Sequence, residues 1–140
     1  MLDNFPLAAS QAILDQLIPA GDAVEVEFDS ADGVVDCSRA GKSRTALAAS
    51  AVKDWQRCRS VLSRYFTPVS GFDAITRVNS LDGLRIYFRN GDIAHIRPSG
   101  NAPQLRIYAV SGTQARADQI VEMSRREPDG ILRQLERAFT

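Results

Sequence analysis

The stretch "DGLRIYFRNGDIAHIRPSGNAPQLRIYAV", residues 82–110, decides how this chain folds. Leu84, Ile86 and Phe88 alternate with Arg85 and Tyr87, the period of two that sends successive side chains to opposite faces of a strand. Asn90-Gly91 breaks the alternation, and both residue types tolerate positive φ, which predicts a two-residue hairpin turn. "IAHIR" (93–97) returns as the partner strand. Beyond a loop holding Pro98 and Pro103, "LRIYAV" (105–110) alternates again, with Leu105, Ile107 and Ala109 opposed to Arg106, Tyr108 and Val110. Upstream, "AITRV" (74–78) supplies a fourth strand ahead of the Asp82-Gly83 turn.

Helices are expected on both sides of this block. Ser10 suits the N-cap of a short helix whose Ile13, Leu14, Leu17 and Ile18 form a stripe before Pro19 and Gly21 stop it. A long helix is expected over about 43–66, where Ala48, Ala51, Trp55, Cys58, Leu62 and Tyr65 recur at three-and-four spacing. Ser43 or Thr45 would cap it, and Thr67-Pro68 would end it, because a residue before proline avoids helical geometry. One closing helix runs from about Thr113 to Arg126 with Ala117, Ile120 and Val121 inward. The other starts with Pro128 in its first turn and carries Ile131, Leu132, Leu135 and Phe139. Between 20 and 43 only "AVEVEF" (23–28) reads as a strand and "DSADG" (29–33) as a turn. Strands grouped first and helices afterwards give an α+β chain: an antiparallel four-stranded sheet covered on one face by helices, plus the long extra helix. Residues 1–70 read as a helical or linker segment and 71–140 as the core of the domain.

Composition narrows the classes. The 140 residues suffice for one domain, and 44% hydrophobic with 24% charged residues is globular. No apolar run approaches the ~20 residues of a membrane span, and "MLDNFPLAAS" lacks a signal peptide's basic and apolar regions. A membrane partner is not expected. Cys37 and Cys58 are too far apart for a CxxC site, so free thiols in a cytoplasmic protein are the expectation. With His95 the sole histidine, no metal site is expected.

Net charge is zero but unevenly spread. Residues 1–36 carry eight acidic side chains and no Lys or Arg, whereas 39–64 carry seven basic ones against Asp54 alone. Such polarity fits a nucleic-acid surface over 44–64, or two segments lying against each other. The second is favoured, because a footprint needs more than a charge count. Gly41-Lys42-Ser43 imitates the end of a phosphate-binding P-loop, but that motif needs glycine where Asp36 stands.

The loop between the last two strands holds the candidate site. Arg97 ends one strand and Arg106 opens the next, so both guanidinium groups can overhang "PSGNAPQL" if the strands pair. Pro98 and Pro103 fix φ and remove two donors, leaving the amides of Ser99, Gly100, Asn101 and Ala102 to converge. Gly100 permits the positive φ of an anion-binding nest, and Ser99 and Asn101 add side-chain donors. Arginine at both ends suits bidentate contact with a tetrahedral dianion. Phosphate recognition fits these parts, and catalysis does not, since no base or nucleophile stands among them. A solvated hairpin loop with two strand-end arginines is the plainer alternative. His95, two residues before Arg97, either approaches the ligand or is simply a half-buried strand residue.

The same stretch, continued as "SGTQARADQIV" to 121, resembles the C-terminal domain of the α-D-phosphohexomutases, the phosphomannomutase and phosphoglucomutase type. Their pattern is a D-G turn, a short hairpin, then R-P-S-G-T-E-P-x-x-R. The match falls on Asp82, Gly83, Gly91, Arg97, Pro98, Ser99, Gly100, Pro103 and Arg106. "NFP" at 4–6 is similar to the junction where that domain begins. The resemblance is specific over about 72–139, suggestive at 1–19, and without a counterpart at 20–70. Asn101 replaces the usual Thr, Ala102 the usual Glu, and Val110 a common Glu.

The resemblance implies a sheet-and-helix domain like the TATA-binding-protein fold. It also implies a role for Arg97, Ser99, Gly100, Asn101 and Arg106 in holding the non-transferred phosphate of mannose or glucose phosphates while 6-phosphate and 1-phosphate forms interconvert. The family's phosphoserine, magnesium and sugar-selecting loops belong to earlier domains and do not occur here. The resemblance therefore implies partnership with those domains, magnesium outside this chain, and no mutase activity from these 140 residues alone. A stand-alone phosphosugar-binding domain is the alternative within the same chemistry.

Overall fold

The hairpin at the centre forms as the alternation requires: β5 (Leu84–Phe88) and β6 (Ile93–Pro98) pair antiparallel, with Ile86 opposite Ala94 and Arg85 opposite His95. Its turn differs from the two-residue expectation. Of Asn90 and Gly91 only the glycine has positive φ, at 94°, and the Gly91 amide donates to the Phe88 carbonyl at 3.0 Å. Asn90 contributes its side chain instead, with Oδ1 accepting from the Asp92 amide at 3.0 Å. The result is the longer hairpin loop in which a single left-handed glycine closes a turn.

The computed structural model describes residues 2–21, 23–28, 33–36 and 45–140. Around the hairpin lie β4 (Ile75–Asn79) and β7 (Leu105–Val110), which complete the four expected strands. The sheet is nonetheless wider than expected. Three short strands, β1 (Glu25–Phe28), β2 (Val34–Asp36) and β3 (Thr45–Ala46), extend it to seven in the order β3-β2-β1-β4-β5-β6-β7. All pairings are antiparallel, and β1 joins β4 with Val26 opposite Val78. The stretch before residue 71 thus shares the sheet of the stretch after it. β2 and β3 have three and two residues, too few for any periodic signal.

Four helices complete the fold: α1 (Leu7–Leu17), α2 (Ala49–Ser63), α3 (Gln114–Arg125) and α4 (Ile131–Phe139). Their apolar stripes and one face of the sheet form a single core. Leu84, Ile86, Ala94 and Ile96 from the strands meet Ile13, Leu17, Trp55, Leu62, Ile120, Leu132 and Leu135 from the helices, each at most 2% exposed. Burying a side chain of this kind contributes about 1.5–3 kcal/mol, so the continuous core is what holds helices to sheet. Burial alternates along β5 and β7, and the other face of the sheet has no helix over it among the described residues.

Three helix starts differ from the sequence reading. α1 begins at Leu7 after Pro6, so Ser10 is a buried helical residue rather than a cap. α2 begins at Ala49 with no side-chain cap; Thr45 lies in β3, and Ser43, like the Gly41-Lys42-Ser43 sequence, lies outside the described residues. Pro128 lies in the turn before α4, whose N-cap is Gly130. A Cβ on Gly130 would come within 2.5 Å of the Arg126 carbonyl oxygen, so this turn is too tight for another residue. α3 starts as read, with the Thr113 hydroxyl accepting from the Arg116 amide at 3.2 Å.

The N-terminal segment is tied beside the 98–104 loop. Leu2 exchanges two backbone hydrogen bonds with Leu105, and the Phe5 amide donates to the Pro103 carbonyl at 2.9 Å. Arg133 of α4 clamps the same segment by donating to the carbonyls of Asp3 and Asn4 while lying over the Phe5 ring. On α2, Arg57 donates to the Gln16 carbonyl and Arg59 lies over the Phe28 ring, so two cations of the basic stretch turn back onto the chain. Among the described residues, no helix is long and apolar enough to cross a membrane.

Candidate functional site

The uncovered face of the sheet carries the polar members of each alternating strand. Directly opposite residues in an antiparallel pair project to the same face. Register therefore aligns Arg85, His95 and Tyr108 in one row across β5, β6 and β7. The next row places Arg97 directly opposite Arg106. Both expected phosphate ligands thus lie on one face and frame the loop that joins their strands. At the far side of this face, Arg77 pairs with Glu27 at 3.1 Å and the Asn79 amide donates to Glu25 at 3.2 Å. The acidic Glu25 and Glu27 sit at the β1 end, and Arg85, Arg97 and Arg106 at the β5–β7 end.

Arg97 is held by Asp82, whose Oδ2 lies 3.0 Å from its Nε. Arg106 stands half-buried, and its Nε, like that of Arg85, is covered and has no hydrogen-bond partner among the described residues. His95 is packed as a strand residue, with Nε2 2.6 Å from the Asp82 carbonyl oxygen. A carbonyl can only accept, so Nε2 is the protonated nitrogen. Two guanidinium groups on one face, one of them paired with a carboxylate, form an arrangement that can bind an oxyanion.

The loop itself departs from the expected nest. Gly100 does not have positive φ, and the Ser99 amide is engaged with the Gln104 carbonyl at 3.1 Å. Ser99 is 5% exposed and sits at the base of the loop rather than at its rim. The Gln104 amide donates to Ala102 O at 2.8 Å, which tightens the far end, and the Gln104 side chain donates to Asp3. What remains for a ligand is the exposed tip: the amides of Gly100, Asn101 and Ala102 donate no hydrogen bond to any described residue. A cleft of about 590 Å³ adjoins the loop, with Ser99 and Gly100 on one wall, Asp82 and Gly83 on another and α1 below.

Sequence reasoning missed Asp82 and Gly83 as parts of the site, seeing only a turn. Gly83 has φ 76°, and a Cβ there would lie 2.2 Å from the Ile96 carbonyl oxygen and 3.1 Å from the Arg97 Cα. The glycine lets the turn press against β6 at the point where Arg97 emerges. The signal was present, since Asp82-Gly83 is part of the family pattern, but its distance in sequence from Arg97 hid the contact. Among the described residues no group of three or more His, Cys, Asp or Glu is placed to hold a metal ion.

Comparison with known proteins bears out the family resemblance read from the sequence. The family model described as "Phosphoglucomutase/phosphomannomutase, C-terminal domain" matches residues 42–127, more than half of the chain. It starts ahead of α2, earlier than the motif at 72 suggested, and so gives part of the 20–70 stretch a counterpart. A phosphomannomutase of Salmonella muenchen is 56% identical over 41 residues, 29% of this chain and 9% of the relative. A phosphomannomutase of Sinorhizobium fredii is 45% identical over 53 residues, 36% of this chain and 11% of the relative. A phosphopentomutase of Thermococcus kodakarensis is 33% identical over 63 residues, 45% of this chain and 14% of the relative. The matched stretches thus span about a tenth of the length of these relatives.

Proposed function

This chain belongs to the phosphoglucomutase/phosphomannomutase family, as its C-terminal domain, and on that premise we propose that it grips the phosphate of a hexose phosphate that is not being transferred. The observation that carries the reading is the register of β6 and β7, which sets Arg97 opposite Arg106 on the uncovered face with unbonded amides at the loop between them. Arg97, Arg106 and the amides of Gly100, Asn101 and Ala102 contact the phosphate, Asn101 adds its side chain, and Ser99 supports the loop from below. A site of guanidinium groups and amides recognises a tetrahedral dianion whatever the sugar's orientation. Either phosphate of the substrate can therefore occupy it while the other reacts elsewhere in a longer enzyme. Holding the remote end positions the reacting end, which is where much of the gain in phosphoryl transfer arises.

The substrate in this proposal is mannose or glucose phosphate, in keeping with two relatives named phosphomannomutase. The setting is cytoplasmic, in keeping with a buried free thiol at Cys58. An NMR titration of the 140-residue chain with inorganic phosphate, glucose 6-phosphate and mannose 6-phosphate tests it. Amide shifts confined to 99–102 and the strand ends are expected with all three. Absence of shifts at millimolar ligand, or shifts centred on α2, would overturn the reading.

A further inference from the structure

Arg97 is a long side chain, nearly half exposed, and left to itself it would sample many rotamers. Three features act against that. The Asp82 carboxylate forms an ion pair with it at Nε, Oδ2 lying 3.0 Å away, while no guanidinium nitrogen of Arg97 makes a hydrogen bond to any described residue. The main chain of Asp82 is fixed in turn by the His95 ring, whose Nε2 donates to its carbonyl over 2.6 Å. Gly83 seats the turn directly on β6, where any Cβ would strike the Ile96 carbonyl.

We propose that Asp82 is the positioning residue of the anion site: it holds Arg97 by one edge of the guanidinium, so that both Nη groups are presented to the incoming oxyanion. His95 and Gly83 hold Asp82 for that purpose. This rests on the phosphate reading above and adds to it a residue that itself touches no substrate. A carboxylate beside an anion site could instead act as a competing counter-ion. The two roles predict opposite signs. The pair is exposed on both sides, at 45% and 59%, so its Coulombic competition is weak. Ordering a long side chain before binding spares that cost at binding, and orientation outweighs competition.

The experiment titrates inorganic phosphate into the wild-type chain, Asp82→Ala and Asp82→Asn, following the amides of 100–102. It also measures the mobility of the Arg97 Nε–Hε group by NMR before any ligand is added. Asp82→Ala is expected to weaken phosphate by roughly 2–10-fold, the cost of ordering one such side chain. Asp82→Asn keeps the size of the side chain and removes the charge that pairs with Nε, so it should weaken phosphate as Asp82→Ala does, whereas a competing counter-ion would make it bind more tightly than wild type. In the ligand-free wild type the Nε–Hε group should be rigid, and in Asp82→Ala mobile. Unchanged or tighter binding by Asp82→Ala overturns the proposal, as does tighter binding by Asp82→Asn. A wild-type chain that takes no phosphate defeats the phosphate reading, and the Nε–Hε measurement then still decides whether Asp82 holds Arg97: equal mobility in wild type and Asp82→Ala sinks it.

Discussion

Gly83 shows how much of the site hangs on one backbone position. Its φ of 76° and its approach to β6 exclude a side chain on two separate grounds. Gly83→Ala should lower stability by about 1–3 kcal/mol from the strained φ, and more if the turn cannot retreat from the Ile96 carbonyl. Urea unfolding measures this, and an unchanged midpoint would contradict the close packing. For Arg97→Ala in a full-length mutase, loss of a charge-assisted hydrogen bond predicts roughly 1.5–3 kcal/mol less transition-state stabilisation. Steady-state kinetics would show it as a fall in kcat/KM, and an unaltered value would count against the assignment. The arginines were legible because they flank a proline-bounded loop. The Ser99 amide was misjudged as free because its partner, Gln104, lies across the same loop, and no sequence pattern reports such a closure.

At the level of elements, periodicity found β4–β7 and the stripes of all four helices. It failed where a segment was too short to be periodic, as in β2 and β3. It also failed where a glycine capped a helix through backbone packing alone, as at Gly130. The inward face of α2 was legible: Trp55, Cys58 and Leu62 are each at most 2% exposed. That burial has a titration consequence. Desolvation pushes the Cys58 thiol from 9.0 up to about 12, against a smaller opposing pull from Arg57. The folded chain therefore keeps a proton that the unfolded chain releases above pH 9.0. This contribution is whole below pH 9.0 and is lost as pH rises toward about 12. Urea unfolding across that window should show wild type losing stability faster than Cys58→Ala. Parallel decline of the two would contradict a thiol sealed in the core.

Across the whole molecule, one core backs the sheet, and the opposite face is left to polar side chains whose charge is sorted by strand. The fold thereby separates the core from the proposed binding face: the helices can pack without touching the row that holds Arg97 and Arg106. On the proposed reading the domain supplies grip while the chemistry lies elsewhere, so the 140 residues alone are expected to show no mutase turnover in a coupled assay. Measurable turnover would contradict the division of labour. The central claim is the cup itself, and diffraction from crystals of the chain grown with glucose 6-phosphate tests it most directly. The account predicts the phosphoryl group between the guanidiniums of Arg97 and Arg106, within hydrogen-bond distance of the amides of 100–102. A phosphoryl group bound elsewhere, with the two arginines unengaged, would contradict it.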